Sequence, residues 1–144
     1  MQIVIGYKGL VGDAIFGHLN KLNEGILGLG RIDYKLNDLT SDYAEGSSML
    51  DLLDEFVSNN DVQNIFYCAG SIVPREERFI VNEIQDEIVR ISKIAQMCKR
   101  ENIRLIYFST AGAMYSVLGP YQEDSEIANH YKALKLLSES ILVS

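Results

Sequence analysis

Cysteine and proline are scarce in this chain, two of each in 144 residues. Cys68 and Cys98 fit no metal-ligand spacing. With so few thiols, nothing argues for the disulfide scaffold of a small secreted domain. Cys68 closes an apolar run and Cys98 falls on a helical apolar stripe, so both are expected to be reduced, buried and inert in a cytoplasmic protein. Pro74 and Pro120 stand in connecting segments, and no Pro-rich linker divides the chain. Its length suits one domain, residues 1–144. No apolar run approaches the roughly 18 residues of a membrane span. The first residues, MQIVIGYKG, lack the basic region of a signal peptide. Positive charge is also short: 13 Lys and Arg stand against 20 Asp and Glu, a net charge of −7. With no basic stripe to offset that balance, nucleic acid and anionic membranes are excluded as non-specific partners. Hydrophobic residues at 47% and charged residues at 23% describe a soluble globular chain.

The apolar pattern alternates between two kinds of segment. QIVI (2–5), GILGLGR (25–31), VQNIFYCAG (62–70) and IRLIYFST (103–110) read as short buried strands, and YKLNDLT (34–40) contains one more. Between them lie helical periodicities. Val11, Ile15, Leu19 and Leu22 recur at helical spacing, with Ala14 and His18 on the same side. Met49, Leu53 and Phe56 mark a second helix. Ile84, Ile88, Ile91, Ala95 and Cys98 mark a long third one, and Leu134, Leu137 and Ile141 mark the last, from about Ser125. Strands alternating with helices predict parallel β-α-β units. The continuous apolar strands predict helices on both faces of the sheet. The expected fold is therefore a doubly wound, mostly parallel sheet in a three-layer α-β-α sandwich.

Within this pattern GYKGLVG (6–12) sits between the first strand and the first helix. Glycine is entropically unfavourable and packs nothing, so three at fixed spacing need a reason. A dinucleotide-binding turn supplies one. Gly6 would allow the tight turn, Gly9 the approach of a pyrophosphate, and Gly12 the packing of helix on strand. The helix N-terminus would offer amides and the positive end of its dipole to the phosphates. A response-regulator type of doubly wound domain would want clustered acids after the first strand, where Gly6 stands instead.

Near the end, YKALK places Tyr131 and Lys135 four residues apart, on one face of a helix. An ammonium near a phenol favours the phenolate and lowers its pKa, which suits a general acid or base. An ordinary solvated helix face, with Lys132 alongside, gives the same spacing. Ser109 and Thr110, in YFSTAGAMYS, follow the last strand and could hydrogen-bond a substrate, or could simply lead into a loop.

Together these stretches resemble the extended short-chain dehydrogenase/reductase family, the NAD(P)-dependent epimerase/dehydratase type that acts on nucleotide sugars. The resemblance runs over essentially the whole chain and implies a Rossmann NAD(P)-binding fold without the C-terminal substrate domain. It implies that Gly6, Lys8, Gly9, Leu10, Val11 and Gly12 form the cofactor loop. NDLTS resembles the segment whose acid, here Asp38, contacts the adenine together with Leu39. YCAGS resembles the strand end that lines the cofactor, here Cys68, Ala69 and Gly70. HYKALKLLSE resembles the Tyr-x-x-x-Lys helix, which implies Tyr131 as catalytic acid/base, with Lys135 lowering its pKa and binding the ribose. FSTAGAMYS resembles the stretch carrying the active-site hydroxyl. The position matching that hydroxyl is Ala111, so Thr110 or Ser109 would have to substitute.

Two cofactors remain open. Arg31 after the second strand could pair with a 2′-phosphate and favours NADP. Asp33 could serve the 2′-hydroxyl of NAD instead. The implied activity is hydride transfer on a nucleotide sugar by an epimerase, dehydratase or reductase, and a homodimer is compatible with it. The alternative is a non-catalytic NAD(P)-binding or partner-binding module. Family members continue well past the Tyr-x-x-x-Lys helix, so the 144 residues alone are expected to bind cofactor weakly and not to turn over.

Overall fold

The computed structural model describes residues 1–22, 25–69, 81–109 and 130–143, the side chains of 81–84 and 130–134 excepted. The described elements are β1 (Gln2–Ile5), α1 (Leu10–Lys21), β2 (Ile26–Leu29), β3 (Asp33–Leu36), β4 (Leu39–Asp42), α2 (Met49–Asn59), β5 (Asn64–Tyr67), α3 (Val81–Glu101), β6 (Arg104–Tyr107) and α4 (His130–Val143). They fall into two compact units. Met1–Gly70 with Ile94–Phe108 forms one, and Ser71–Lys93 with Ser109–Ser144 forms the other.

The first unit holds a six-stranded sheet in the order β4-β3-β2-β1-β5-β6. β1 pairs in parallel with β2 and β5, and β5 in parallel with β6. β3 is antiparallel to both neighbours, so five of the six strands run one way. The expected mostly parallel α/β sheet is present. The segment 34–40, however, is not one strand but the middle of a β3–β4 hairpin turned at Asn37 and Asp38. Asn37 has a φ of 51°, in the left-handed region that asparagine tolerates better than most residues. Two short strands separated by a two-residue turn leave a hydrophobic pattern too brief to show the reversal.

The central strands β1 and β2 are buried on both faces, their side chains alternating across the sheet, whereas β4 at the edge is exposed. Val4 on one face joins Tyr7, Phe16 and Ile26 in a cluster under α1, with Ile15, Leu19, Phe66 and Cys68 packed against it. On the other face Ile3, Leu27, Leu29, Ile65 and Tyr67 are fully buried. The buried stripe of α1 is Gly12 and Phe16, not the expected Val11 and Leu22, which are 43% and 55% exposed. Ala14 and His18 also face solvent. α1 begins at Leu10, so Gly12 lies in its first turn rather than before it. α2 opens on a capping box in which Ser48 and Asp51 satisfy each other's backbone amides. Arg100, at the end of α3, reaches Asp54 on α2 at 3.2 Å.

In the second unit, Arg90 bonds the buried Glu87 one turn earlier on α3 at 2.8 Å. α4 buries Lys135 and Ser138. No helix among the described residues is long and apolar enough to cross a membrane.

Candidate nucleotide-binding site

β1 ends at Ile5 and the chain must then leave the sheet and enter α1. Gly6 makes that turn with a φ of +82°, a conformation that strains any other residue. Space alone would also demand glycine. A Cβ on Gly6 would lie 2.7 Å from the amide nitrogen of Ala69. Cys68 donates its backbone N–H to Ile5 O at 2.9 Å, which brings the end of β5 against the turn. The structure thus draws Gly6, Cys68 and Ala69 together.

The three glycines do different work. A Cβ on Gly12 would meet Gly6 O at 2.1 Å, so Gly12 lets the helix close on the turn. A Cβ on Gly9 would meet only Gly6 O, at 3.4 Å, which is ordinary contact. The protein itself therefore does not require glycine at position 9. Gly9 is the N-cap of α1, extended at φ −77° and ψ 164°, and no side chain caps the helix there. Leu10 beside it is 93% exposed. First-turn amides and the positive end of a helix dipole favour an anion. Such an uncapped helix start after a glycine turn fits the pyrophosphate of a dinucleotide.

Next to this turn lies a polar cluster built on β2 and β3. Gly28 and Gly30 are two apart and therefore share a face. Cβ atoms there would come within 2.7 Å of the Tyr7 ring and 2.6 Å of Asp33 Oδ1, respectively. The two glycines thus admit the Tyr7 ring, tilted against Phe16 with centroids 5.5 Å apart, and the Asp33 carboxylate. Asp33 is 6% exposed. Its Oδ2 accepts from Tyr7 Oη at 3.3 Å and forms an ion pair with Lys8 Nζ. Its Oδ1 is buried and has no hydrogen-bond partner among the described residues. Tyr43, after β4, donates from Oη to Gly30 O at 2.9 Å.

Burial, and then the Asp33 charge, raise the Tyr7 pKa above 10. Burial first and Asp33 second push Tyr43 up to about 12. Both phenols are therefore neutral donors at physiological pH. The hydrogen bond to Asp33 raises the Lys8 pKa, so its ammonium is secure.

The structure does not bring every expected residue here. Asp38 and Leu39 lie at the opposite end of the strands. β3 runs back along β2, so Leu36 pairs with Leu27 and Asn37 N–H reaches Ile26 O at 2.9 Å. Asp38 there accepts from Asn20 Nδ2, near the end of α1, at 2.9 Å. The reversal instead returns Asp42 to the glycine-turn end, opposite Asp33. Arg31 is exposed in the β2–β3 turn. Ser109 is exposed just after β6. Tyr131 and Lys135 both fall on α4, in the second unit, and Lys135 is buried. The expectations for Gly70, Thr110, Ala111 and the Tyr131 side chain lie outside the described residues. Tyr7, Asp42 and Tyr43 were not anticipated. The alternating glycines of LGLG were the available signal, since they vacate one face of β2 for a neighbour.

The mostly parallel α/β sheet, with a helix entered from a glycine turn after β1, is a Rossmann-like fold. The chain belongs to the NAD dependent epimerase/dehydratase family, whose model matches residues 2–144. No curated protein matches it in sequence. Among solved structures it is similar to Pal from Bacillus thuringiensis, with a TM-score of 0.74 and 15% identity over 99% of this chain and 51% of that one. It is also similar to UDP-N-acetylglucosamine 4-epimerase from Bacillus cereus, with a TM-score of 0.65 and 21% identity over 99% of this chain and 53% of that one. A third is MoeE5 in complex with UDP-glucose and NAD, with a TM-score of 0.70 and 15% identity over 99% of this chain and 48% of that one. The chain therefore spans about half the length of these structures.

Proposed function

We propose that this chain is the cofactor-binding half of an NAD(P)-dependent epimerase, dehydratase or reductase of nucleotide sugars. The observation that carries the reading is the glycine turn. Gly6 and Gly12 are required by the fold, whereas Gly9 is left open at an uncapped helix start. In this reading Gly9, Leu10 and Val11 present backbone to the pyrophosphate, and Cys68 and Ala69 border the cofactor at the end of β5. When bound, the nicotinamide supplies and takes back a hydride. The substrate class follows from the family and from neighbours whose names carry UDP sugars. Arg31, with Lys8 across the turn, supports NADP, while Asp33 supports NAD. Neither Cys68 nor Cys98 is in a disulfide, which supports the reading of a cytoplasmic protein.

The proton is assigned to Tyr131, one helical turn before Lys135 on α4. A lysine one turn along the helix would favour the phenolate, which can accept a proton from a sugar hydroxyl and, as the phenol, return it. The test is conversion of UDP-glucose or UDP-N-acetylglucosamine by the protein that carries this chain, with NAD or NADP, followed by chromatography. Tyr131→Phe should lower turnover by about 10²–10⁴-fold while leaving cofactor affinity within about threefold. Undiminished turnover in Tyr131→Phe would refute the assignment.

A further inference from the structure

β4 forms one edge of the sheet, and among the described residues it pairs with β3 alone. All four of its residues are exposed, Leu39 to 75%. An edge strand is a template for another chain unless something blunts it. β4 carries neither Pro nor Lys, and its register with β3 is unbroken from Asp33 and Asp42 to Leu36 and Leu39. Its open backbone groups follow from β3. The Asp33 carbonyl accepts from Gly30 N–H, and Asn37 donates its N–H to Ile26 O, so these alternate residues turn toward β2. Tyr34 and Leu36 between them turn toward β4, where they face Ser41 and Leu39. The N–H and C=O of Thr40 and Asp42 therefore point away from the sheet.

We propose that β4 is the interface for a second copy of this chain, the two β4 strands pairing antiparallel about a two-fold axis at Ser41. This goes beyond the cofactor reading and does not depend on it. Charge selects the register. Centring the axis on Asp42 sets that carboxylate against its own copy, and centring it on Thr40 sets Asp42 against the second copy's Asp38. Like charges directly opposite one another destabilise a strand pair. Centring on Ser41 sets Thr40 opposite Asp42, where the hydroxyl can donate to the carboxylate, and the open backbone groups of these two residues meet. On the other face Leu39 comes opposite Tyr43, whose ring lies 5.9 Å from that of Tyr34. The exposed leucine thereby gains an aromatic cross-strand neighbour. Strands of four residues bury far less than the roughly 1,600 Å² of a standard interface, so the dimer is weak and forms as concentration rises.

The experiment combines sedimentation velocity with cross-linking. From about 10 μM to about 500 μM the wild type should pass from monomer to dimer. Thr40→Pro removes an outward N–H and leaves the ladder with β3 whole, so it should stay monomeric and keep the wild-type circular dichroism spectrum. Ser41 stands opposite its own copy in a pair without hydrogen bonds, with Cα atoms about 4.5 Å apart, within reach of a disulfide. Ser41→Cys under mild oxidation should therefore give a covalent dimer on a non-reducing gel. Thr40→Cys, and the wild type with only Cys68 and Cys98, should not. Ser41→Cys is an exposed change and keeps the test valid should Thr40→Pro fail to fold. A monomer at every concentration, or equal cross-linking of Ser41→Cys and Thr40→Cys, would overturn the proposal. An undiminished dimer in folded Thr40→Pro would overturn it too, because the interface would then lie elsewhere.

Discussion

Replacing Gly12 and Gly9 by alanine, one at a time, separates the demand of the fold from the demand of a ligand. At Gly12 the new Cβ would lie 2.1 Å from Gly6 O, 2.8 Å from Gly6 C and 3.0 Å from Tyr7 Cα. All three are backbone atoms, so no rotamer change relieves the clash, and α1 must lift from the end of β1. Alanine would gain about 1 kcal/mol in helix propensity. Overpacking typically costs 1–3 kcal/mol, and backbone against backbone belongs at or above the top of that range. The net expectation is a loss of about 2 kcal/mol or more. With a urea m-value of about 1–3 kcal/mol/M, the unfolding midpoint should fall by about 1 M. At Gly9 the extended backbone suits alanine and the Cβ meets only Gly6 O, at 3.4 Å. Loss of a glycine cap and the reduced entropy of the unfolded chain nearly offset, so stability should change by less than about 1 kcal/mol. Urea denaturation followed by circular dichroism measures both. An unchanged midpoint in Gly12→Ala would refute the account of the turn, because a contact of that length cannot be accommodated silently.

Three further outcomes follow from particular residues. Burial pushes the Cys98 thiol up to about 11 from 9.0; the unfolded thiol ionises first, so stability intact below pH 9 should fall as pH rises from 9 to 11. The loss should reach about 2–3 kcal/mol, and Cys98→Ala should flatten it in denaturation series at pH 8 and 10.5; identical pH profiles would exclude the thiol. Ser48→Ala removes the capping box of α2 and should destabilise by about 1 kcal/mol, read from thermal unfolding; no change in midpoint would mean that the cap contributes nothing. Gly30→Ala would set a Cβ 2.6 Å from Asp33 Oδ1 and 3.0 Å from Asp33 O, so it should destabilise by about 1–3 kcal/mol and shift the Tyr7 ultraviolet signal, whereas a neutral result would show that the cluster is loose.

The glycine turn was legible because its residues act locally. The strand before Gly6 and the helix after it carry their own hydrophobic periods, and a turn between them has few solutions. The stripe of α1 was misread because Gly12 and Phe16, its buried positions, are respectively too small and too widely shared a residue type to stand out against Val11 and Leu22. Asp38 was misplaced for a different reason. Its neighbours look the same in a strand running up the sheet and in a hairpin running down and back, and only pairing with β2 decides the direction. The Asp33 cluster needs contacts between residues far apart in sequence, which no local pattern reports. Only the alternation of Gly28 and Gly30 hinted that one face of β2 receives something from outside.

The central claim is that the glycine turn of this chain receives the pyrophosphate of a nicotinamide dinucleotide at Gly9. Isothermal titration of NADP and NAD into the wild-type chain and into Gly9→Val tests it most directly. The account predicts measurable binding by the wild type, and loss of binding in a Gly9→Val protein that still shows the wild-type circular dichroism spectrum, because the added side chain would occupy the phosphate position. Equal affinities in the two folded proteins would contradict it.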